Sequence, residues 1–261
     1  MKKIIALVLA LVLSVFALAS CGETEGDKAA IEKAGKIVVG ITVYPPMDYL
    51  DEDNNWTGFD AELANAFAKE LGVNCQFVII NWNNKVADLE SKQIDLIWNG
   101  MTASDELGES IDFSVSYAKN AQVAVVKKGS SLTKEDVPGA TIAVEAGSAG
   151  AAVAEDDIKG TKINKVTAMV DALNEVNSGA SQVAIIDITM AQSVVGKGNY
   201  EDLEILSGAS YGDEIFAVGL RKGSDLKADL DAFLKKAYAD GVMTELAEKY
   251  SVGLNTEALA G

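Results

Sequence analysis

Between residues 36 and 98, short β-branched or apolar runs alternate with amphipathic helix patterns, and this alternation restricts the fold more than any other feature of the chain. Lys36–Thr42 (KIVVGIT) reads as a strand. Asp60–Leu71 reads as a helix, because Leu63, Phe67 and Leu71 recur every fourth position and Gly72 ends the run. Gln76–Ile80 is the next strand, Asn84–Ser91 a short helix and Ile94–Trp98 another strand. Such a βαβα order implies a mainly parallel sheet with helices on its faces. A second unit repeats the pattern, with strands at Ala121–Lys127, Thr141–Val144, Lys162–Val166 and Val183–Ile186. Its helices run from Gly147-Ser148-Ala149-Gly150 to about Asp156, over Thr167–Val176, and from about Thr189 to Val195. Glu214–Arg221 (EIFAVGLR) reads as the last strand, followed by two helices parted at Asp240-Gly241.

The stretch Ile94–Ser114 carries the first functional signal. Its strand ends at Asn99-Gly100, a turn where glycine tolerates close approaches and backbone angles that other residues do not. Thr102 and Ser104 then place hydroxyls just beyond the strand's carboxyl end, where open α/β sheets bind ligands. Taken alone, the segment reads equally well as an ordinary strand exit.

Composition excludes several functions. The net charge of −17 opposes nucleic acid and anionic lipid headgroups as partners. With no histidine in the chain, the commonest general base, the Ser-His-Asp triad and most zinc sites are ruled out. No metal spacing or phosphate-binding glycine pattern is present, and no cofactor is implied. Lys2 and Lys3 precede the apolar run Ile4–Ala19, which closes on Leu18-Ala19-Ser20-Cys21. That order is expected of a signal peptide over residues 1–20, and the last four residues look like a bacterial lipobox with Cys21 as the lipidated residue. Residues 21–35 are expected to be an acidic linker holding the body off the membrane. With Cys21 lipidated, Cys75 has no partner for an internal disulfide, and its apolar run VNCQFVII makes it a packing residue.

The motifs then fall into one order. Tyr44-Pro45-Pro46-Met47, Thr57-Gly58-Phe59-Asp60 with Leu63, Trp82, Ile94–Thr102, Ile111-Asp112-Phe113-Ser114, Val144–Gly150 (VEAGSAG) and Asp187 after VAII together resemble the family 3 solute-binding proteins of polar amino acid ABC transporters, over nearly all of Ile37–Tyr250. The resemblance implies an α/β fold of the periplasmic-binding-protein type II: two α/β lobes, a ligand cleft between them and a hinge of two strands. Lobe 1 would hold residues 36–119 and 212–261, and lobe 2 residues 120–211. It implies a monomer outside the cytoplasm that binds a small amino acid or amine without chemistry and hands it to an ABC permease. A sensory lipoprotein would have the same soluble body. Relatives on this fold act as dehydratases on cyclohexadienyl substrates, using a cleft acid; Glu145 would serve as a general acid if burial raised its pKa, but the arginine that would match such carboxylate substrates is missing and no nucleophile–base pair is visible.

Site residues follow from the same resemblance. Tyr44 and Trp82 match the side chains that sandwich the ligand, with core packing as the competing role. Asn99, Gly100 and Thr102 match the loop that holds the ligand's ammonium and carboxylate. Ser148, Ala149 and Gly150 match the helix start in lobe 2, whose free N–H groups suit a carboxylate and whose small residues also suit an ordinary N-cap. Asp187 matches the partner of the α-ammonium; an N-cap is the competing role. The family's carboxylate-gripping arginine falls at Leu107, which cannot make that grip. Lys85 is favoured as a surface lysine; reaching the cleft, it would supply the missing cation. Glu145 matches a position touching the ligand's side chain and makes the lobe 2 wall acidic. An acidic wall without a guanidinium favours a polar or cationic amino acid, or an amine lacking the carboxylate.

Overall fold

The computed structural model describes residues 26–261. The expected signal segment, Cys21 and residues 21–25 of the expected linker lie outside them. The rest of that linker is a helix. Asp27–Ala34 (α1) runs from Gly26 to a left-handed cap at Gly35, with φ +66°. It is docked: Ile31 is buried, Lys28 Nζ lies 2.7 Å from Asp229, and Arg221 Nε donates to the Asp27 carboxylate at 2.9 Å. The polar composition that suggested a linker serves as the solvent face and ion-pairing ends of a short helix. Arg221, the one arginine of the chain, also donates to the carbonyls of Leu89 and Ile94 and to Asp95, so it is committed here and not to a ligand.

The first sheet contains Lys36–Ile41 (β1), Asn74–Ile79 (β4), Leu96–Ile97 (β5), Ile111–Phe113 (β6) and Gly219–Arg221 (β12), in the order β4-β1-β5-β12-β6. Tyr49–Leu50 (β2) and Trp56–Thr57 (β3) form a small hairpin beside it. Phe59–Glu70 (α2) buries Leu63 and Phe67 against this sheet, and Phe67 packs on Trp98 and Phe233, ring centroids 6.3 and 5.2 Å away. Lys85–Glu90 (α3) and Asp105–Ser110 (α4) flank β5 in sequence.

Ala118–Lys127 (β7), Thr141–Glu145 (β8), Lys162–Val166 (β9), Val183–Asp187 (β10) and Leu203–Phe216 (β11) make the second sheet, in the order β11-β7-β10-β8-β9. Ala149–Ala152 (α5), continued by a π-helical turn, Met169–Ser178 (α6) and Ile188–Val194 (α7) pack on it. Met169, Leu173 and Val176 form the buried stripe of α6, which ends at Gly179 in the left-handed conformation. Lys227–Ala239 (α8), Val242–Tyr250 (α9) and Thr256–Ala260 (α10) return to the first sheet's side of the molecule.

Two features differ from the expected strands. The sheets are mixed: β12 enters antiparallel between β5 and β6, and β7 is antiparallel to both β10 and β11. The segment read as one strand, Glu214–Arg221, is divided between the sheets, its first residues finishing β11 and its last forming β12. One segment carries the chain out of the first sheet and another brings it back. They lie side by side, Asn120 opposite Glu214 and Lys119 opposite Ile215, and so must run antiparallel. Among the described residues no helix is long and apolar enough to cross a membrane, and no cluster of acidic, cysteine or histidine side chains could hold a metal ion.

Candidate functional site

The carboxyl ends of the parallel strands converge on one cleft, the location that sheet topology favours for a ligand. Thr42 and Tyr44 follow β1, Trp82 follows β4, and Asn99, Gly100 and Thr102 follow β5; across from them stand Glu145 at the end of β8, Ser148, Ala149 and Met169, and Asp187 at the end of β10. The space between is about 300 Å³, counting the part open to solvent. Thr42 and Met169 were read in the sequence only as strand and helix-face residues, not as site residues. Thr42 closes a strand pattern, and Met169 follows the helical period, so neither departs from its surroundings.

Each side chain has a physical reason for its position. The Tyr44 ring is 2% exposed, and its hydroxyl donates to Asp187 Oδ2 across the cleft at 2.6 Å. It is both core and cleft, so the two roles weighed for it coexist. Burial and the Asp187 charge raise its phenol well above the usual range. Gly100 has φ +55°, and a Cβ there would lie 2.5 Å from Tyr44 Cε1. Gly100→Ala is therefore expected to cost about 1–3 kcal/mol in urea unfolding, through strain and displacement of the Tyr44 ring; an unchanged midpoint would show that the ring is free to yield. Asn99 spends its side chain on structure. It accepts from the Thr42 N–H and hydroxyl and donates to the Thr42 carbonyl and to Asp48.

Asp187 does not cap α7: its side chain makes no capping bond. Its carboxylate instead accepts from Tyr44, from Asn120 Nδ2 at 2.9 Å and from Gln122 Nε2. Burial first, then the Glu214 charge, push this carboxyl up to about 7. Glu145 is 3% exposed and its Oε1 has no hydrogen-bond partner. Burial, with Asp187 adding to it and Lys85 opposing it, pushes the Glu145 carboxyl up to about 8. Ser148 does act as an N-cap, its Oγ accepting from the Ala151 N–H at 3.1 Å. The first-turn N–H groups of Ala149 and Gly150 have no acceptor one turn back.

Three residues lie outside the cleft lining. Gly150 is buried where α5 crosses β10; a Cβ would stand 2.8 Å from the Ile185 carbonyl oxygen and 2.9 Å from Gln122 Oε1. Its smallness is a matter of helix–strand packing. Leu107, in α4, packs with the apolar cluster of Ile97, Met101 and Ile111. Lys85 is no surface lysine. It is 6% exposed, with Nζ donating to the Gly147 carbonyl at 2.8 Å and to the Trp82 carbonyl at 3.4 Å, and it sits 4.9 Å from the centre of the Trp82 ring. Burial lowers its ammonium to about 8, against the pull of Glu145. Trp82 is likewise buried, which the surrounding asparagines concealed.

Beneath the cleft lie residues that the sequence reading did not assign to the site. Asn120 and Gln122 stand in the apolar run of β7, a signal that was available. Asp48 and Asp60 are fully buried behind the Asn99-Gly100 turn.

Residues 37–253 match the model of the bacterial extracellular solute-binding proteins, family 3. The L-cystine-binding protein TcyJ of Escherichia coli (strain K12) is 30% identical over 87% of this chain and 86% of its own length. The arginine-binding extracellular protein ArtP of Bacillus subtilis (strain 168) is 30% identical over 97% and 99%. Among solved structures, a substrate-binding protein of an ABC uptake transporter from Streptococcus pneumoniae, with bound histidine, superposes with a TM-score of 0.79 at 31% identity, over 87% of this chain and 97% of that one.

Proposed function

The chain belongs to the bacterial extracellular solute-binding proteins, family 3, and on that premise we propose that it is the binding component of an ABC importer that captures a polar or cationic amino acid by closing two lobes on it. The observation that carries this reading is the charge of the cleft. Its ionisable lining residues besides Tyr44 are the carboxylic acids Glu145 and Asp187, and the single arginine is occupied elsewhere. An ammonium or guanidinium entering there relieves two desolvated carboxyls, which is a large differential interaction. Tyr44 and Trp82 cover the aliphatic part of such a ligand. The adjacent segments at Lys119-Asn120 and Asp213-Glu214 serve as the hinge, between lobe 1 (36–119 and 212–261) and lobe 2 (120–211). Lipidation at Cys21, supported by the residues around it in sequence, would tether the body outside the cytoplasm beside the permease.

A ligand carboxylate would have to be met by the first-turn N–H groups of α5 and a re-aimed Lys85. The apolar packing of Leu107 favours a second reading, an amine with no carboxylate. A thermal-shift screen of protein unfolded, dialysed and refolded free of ligand separates the two. A ligand at a hundred times its Kd adds about 2.7 kcal/mol, which raises the melting midpoint by about 5–10 °C for a chain of this size. A shift with L-arginine or L-ornithine but not with agmatine or putrescine supports the amino acid. Equal shifts with the amines support the second reading. Silence toward all of them, and toward cystine, histidine and glutamine, overturns both.

A further inference from the structure

Glu214 lies where three parts of the molecule meet. It is on β11, in the segment returning to the first lobe, opposite Asn120 on the outgoing segment. Thr102, which lines the cleft, donates its hydroxyl to Glu214 Oε2 at 3.1 Å. The loop carrying Thr102 is itself tied to the residues just after Glu214, the Ala103 N–H donating to the Ile215 carbonyl and the Ala217 N–H to the Met101 carbonyl, each at 3.0 Å. Two amides then bridge Glu214 to Asp187. Asn120 Nδ2 donates to Glu214 Oε2 at 2.7 Å and to Asp187 Oδ1 at 2.9 Å. Gln122 Nε2 donates to Glu214 Oε2 at 3.0 Å and also to Asp187 Oδ1. The Asn120 amide is oriented by Thr189, whose hydroxyl donates to its Oδ1 at 3.0 Å.

We propose that Glu214, which stands behind the cleft lining, is a positioning residue for specificity: through the Thr102 hydroxyl and the Asn120 and Gln122 amides it shares with Asp187, its charge tunes Asp187 to select the cationic group of a ligand and links that capture to the crossing between the lobes. This rests on the importer reading above. Two carboxylates that share donor nitrogens repel each other, and neutral amides position them without cancelling their charge. Among the described residues neither carboxylate forms an ion pair. The other titratable groups facing them add no nearby cation: Tyr44 donates to Asp187, Asp60 lies behind Tyr44, and Glu145 stands on β8 beside Asp187. Lys119, next to Asn120 on β7, is exposed and pairs with neither carboxylate, and Lys85 is held by the Gly147 and Trp82 carbonyls. The missing positive charge is the ligand's.

The test uses the mature chain with Glu214→Gln, which keeps an oxygen for the three donors and removes the charge. Binding of L-arginine, putrescine and L-glutamine is followed by calorimetry from pH 5.5 to 9, and the Asp187 carboxyl is followed by carbon NMR without ligand. At pH 8.5 the tightest cationic probe is expected to bind E214Q about 10-fold or more weaker. The Asp187 titration midpoint is expected to fall, because the charge opposing its ionisation is gone. A merely structural role predicts neither the moved midpoint nor a loss confined to cations. Glu214→Asp, which keeps the charge, is expected to retain both properties; it carries the test if E214Q does not fold, and their loss there overturns the proposal. Folded E214Q with wild-type affinity and midpoint overturns it while the importer reading stands. A wild type silent toward these probes and toward every ligand of the thermal-shift screen overturns the importer reading, and this proposal with it.

Discussion

Asp187→Asn is expected to remove capture of a cationic ligand, with an affinity loss of about 2–5 kcal/mol, as when one partner of a buried charge pair is truncated. The same change is expected to make the ligand-free protein more stable at alkaline pH. Asp187 is held up near 7 by burial and by Glu214. Between the ordinary carboxyl value and that point the folded state holds a proton that the unfolded chain has released, so stability declines as pH rises through the window from about 4 to 7. Asn cannot ionise and escapes the decline. Its oxygen still accepts from Asn120 or Gln122, and its amide can donate to the Tyr44 hydroxyl. Calorimetry with the strongest wild-type ligand, beside urea unfolding at pH 5 and pH 8, checks both halves. A variant that loses stability at pH 8 would show that the carboxylate serves the fold and not the ligand.

Asp60 and Asp48 predict opposite effects from neighbouring residues. Asp60 Oδ2 accepts from the Gly100 N–H at 2.6 Å and from the Tyr117 hydroxyl at 2.8 Å, both buried. Asp60→Ala strands two donors, at about 1–3 kcal/mol each, and releases the turn beneath the cleft. Asp48 accepts from Asn99 Nδ2 at 2.7 Å, and burial together with the Asp60 charge holds its carboxyl well above the usual range. Asp48→Asn keeps an acceptor for Asn99 and removes a like charge, so it is expected to stabilise the protein above pH 7. Burial keeps the Asp60 carboxyl near 7. Wild-type stability is therefore expected to decline between about pH 4 and 8, and the decline to be shallower in the Asp48 variant. Urea unfolding at pH 5, 6.5 and 8 reads the slopes; a D48N protein weaker than wild type at pH 8, with the slope unchanged, would refute the shared-charge account.

Much of the fold was legible because its signals are local. Leu63 and Phe67 in α2, and Met169, Leu173 and Val176 in α6, repeat with the helical period, which one buried face imposes. The loops after β1, β4, β5, β8 and β10 carried polar or aromatic residues where chain direction alone puts the cleft. Lys85 was misread because its neighbours Asn81, Asn83 and Asn84 describe an exposed corner, while the carbonyl that buries it belongs to Gly147, 62 residues away. The helix α1 was misread because eight residues of mixed charge say nothing of the Arg221 side chain 194 residues on. The split of Glu214–Arg221 between two sheets has no signature in its apolar pattern, since both halves are buried strands.

By itself the sequence determined the alternation of strands and helices and the absence of histidine chemistry, which follow from residue type and short-range periodicity. The acidic cleft was implied only by the family resemblance of the motifs, and that the one arginine is occupied elsewhere is a tertiary fact. Tertiary structure alone decided which polar groups meet. Tyr44 reaches Asp187 across 143 residues, and Thr102 reaches Glu214 across 112. A hydrogen bond depends on distances of a few tenths of an ångström, and those exist only once both lobes have packed.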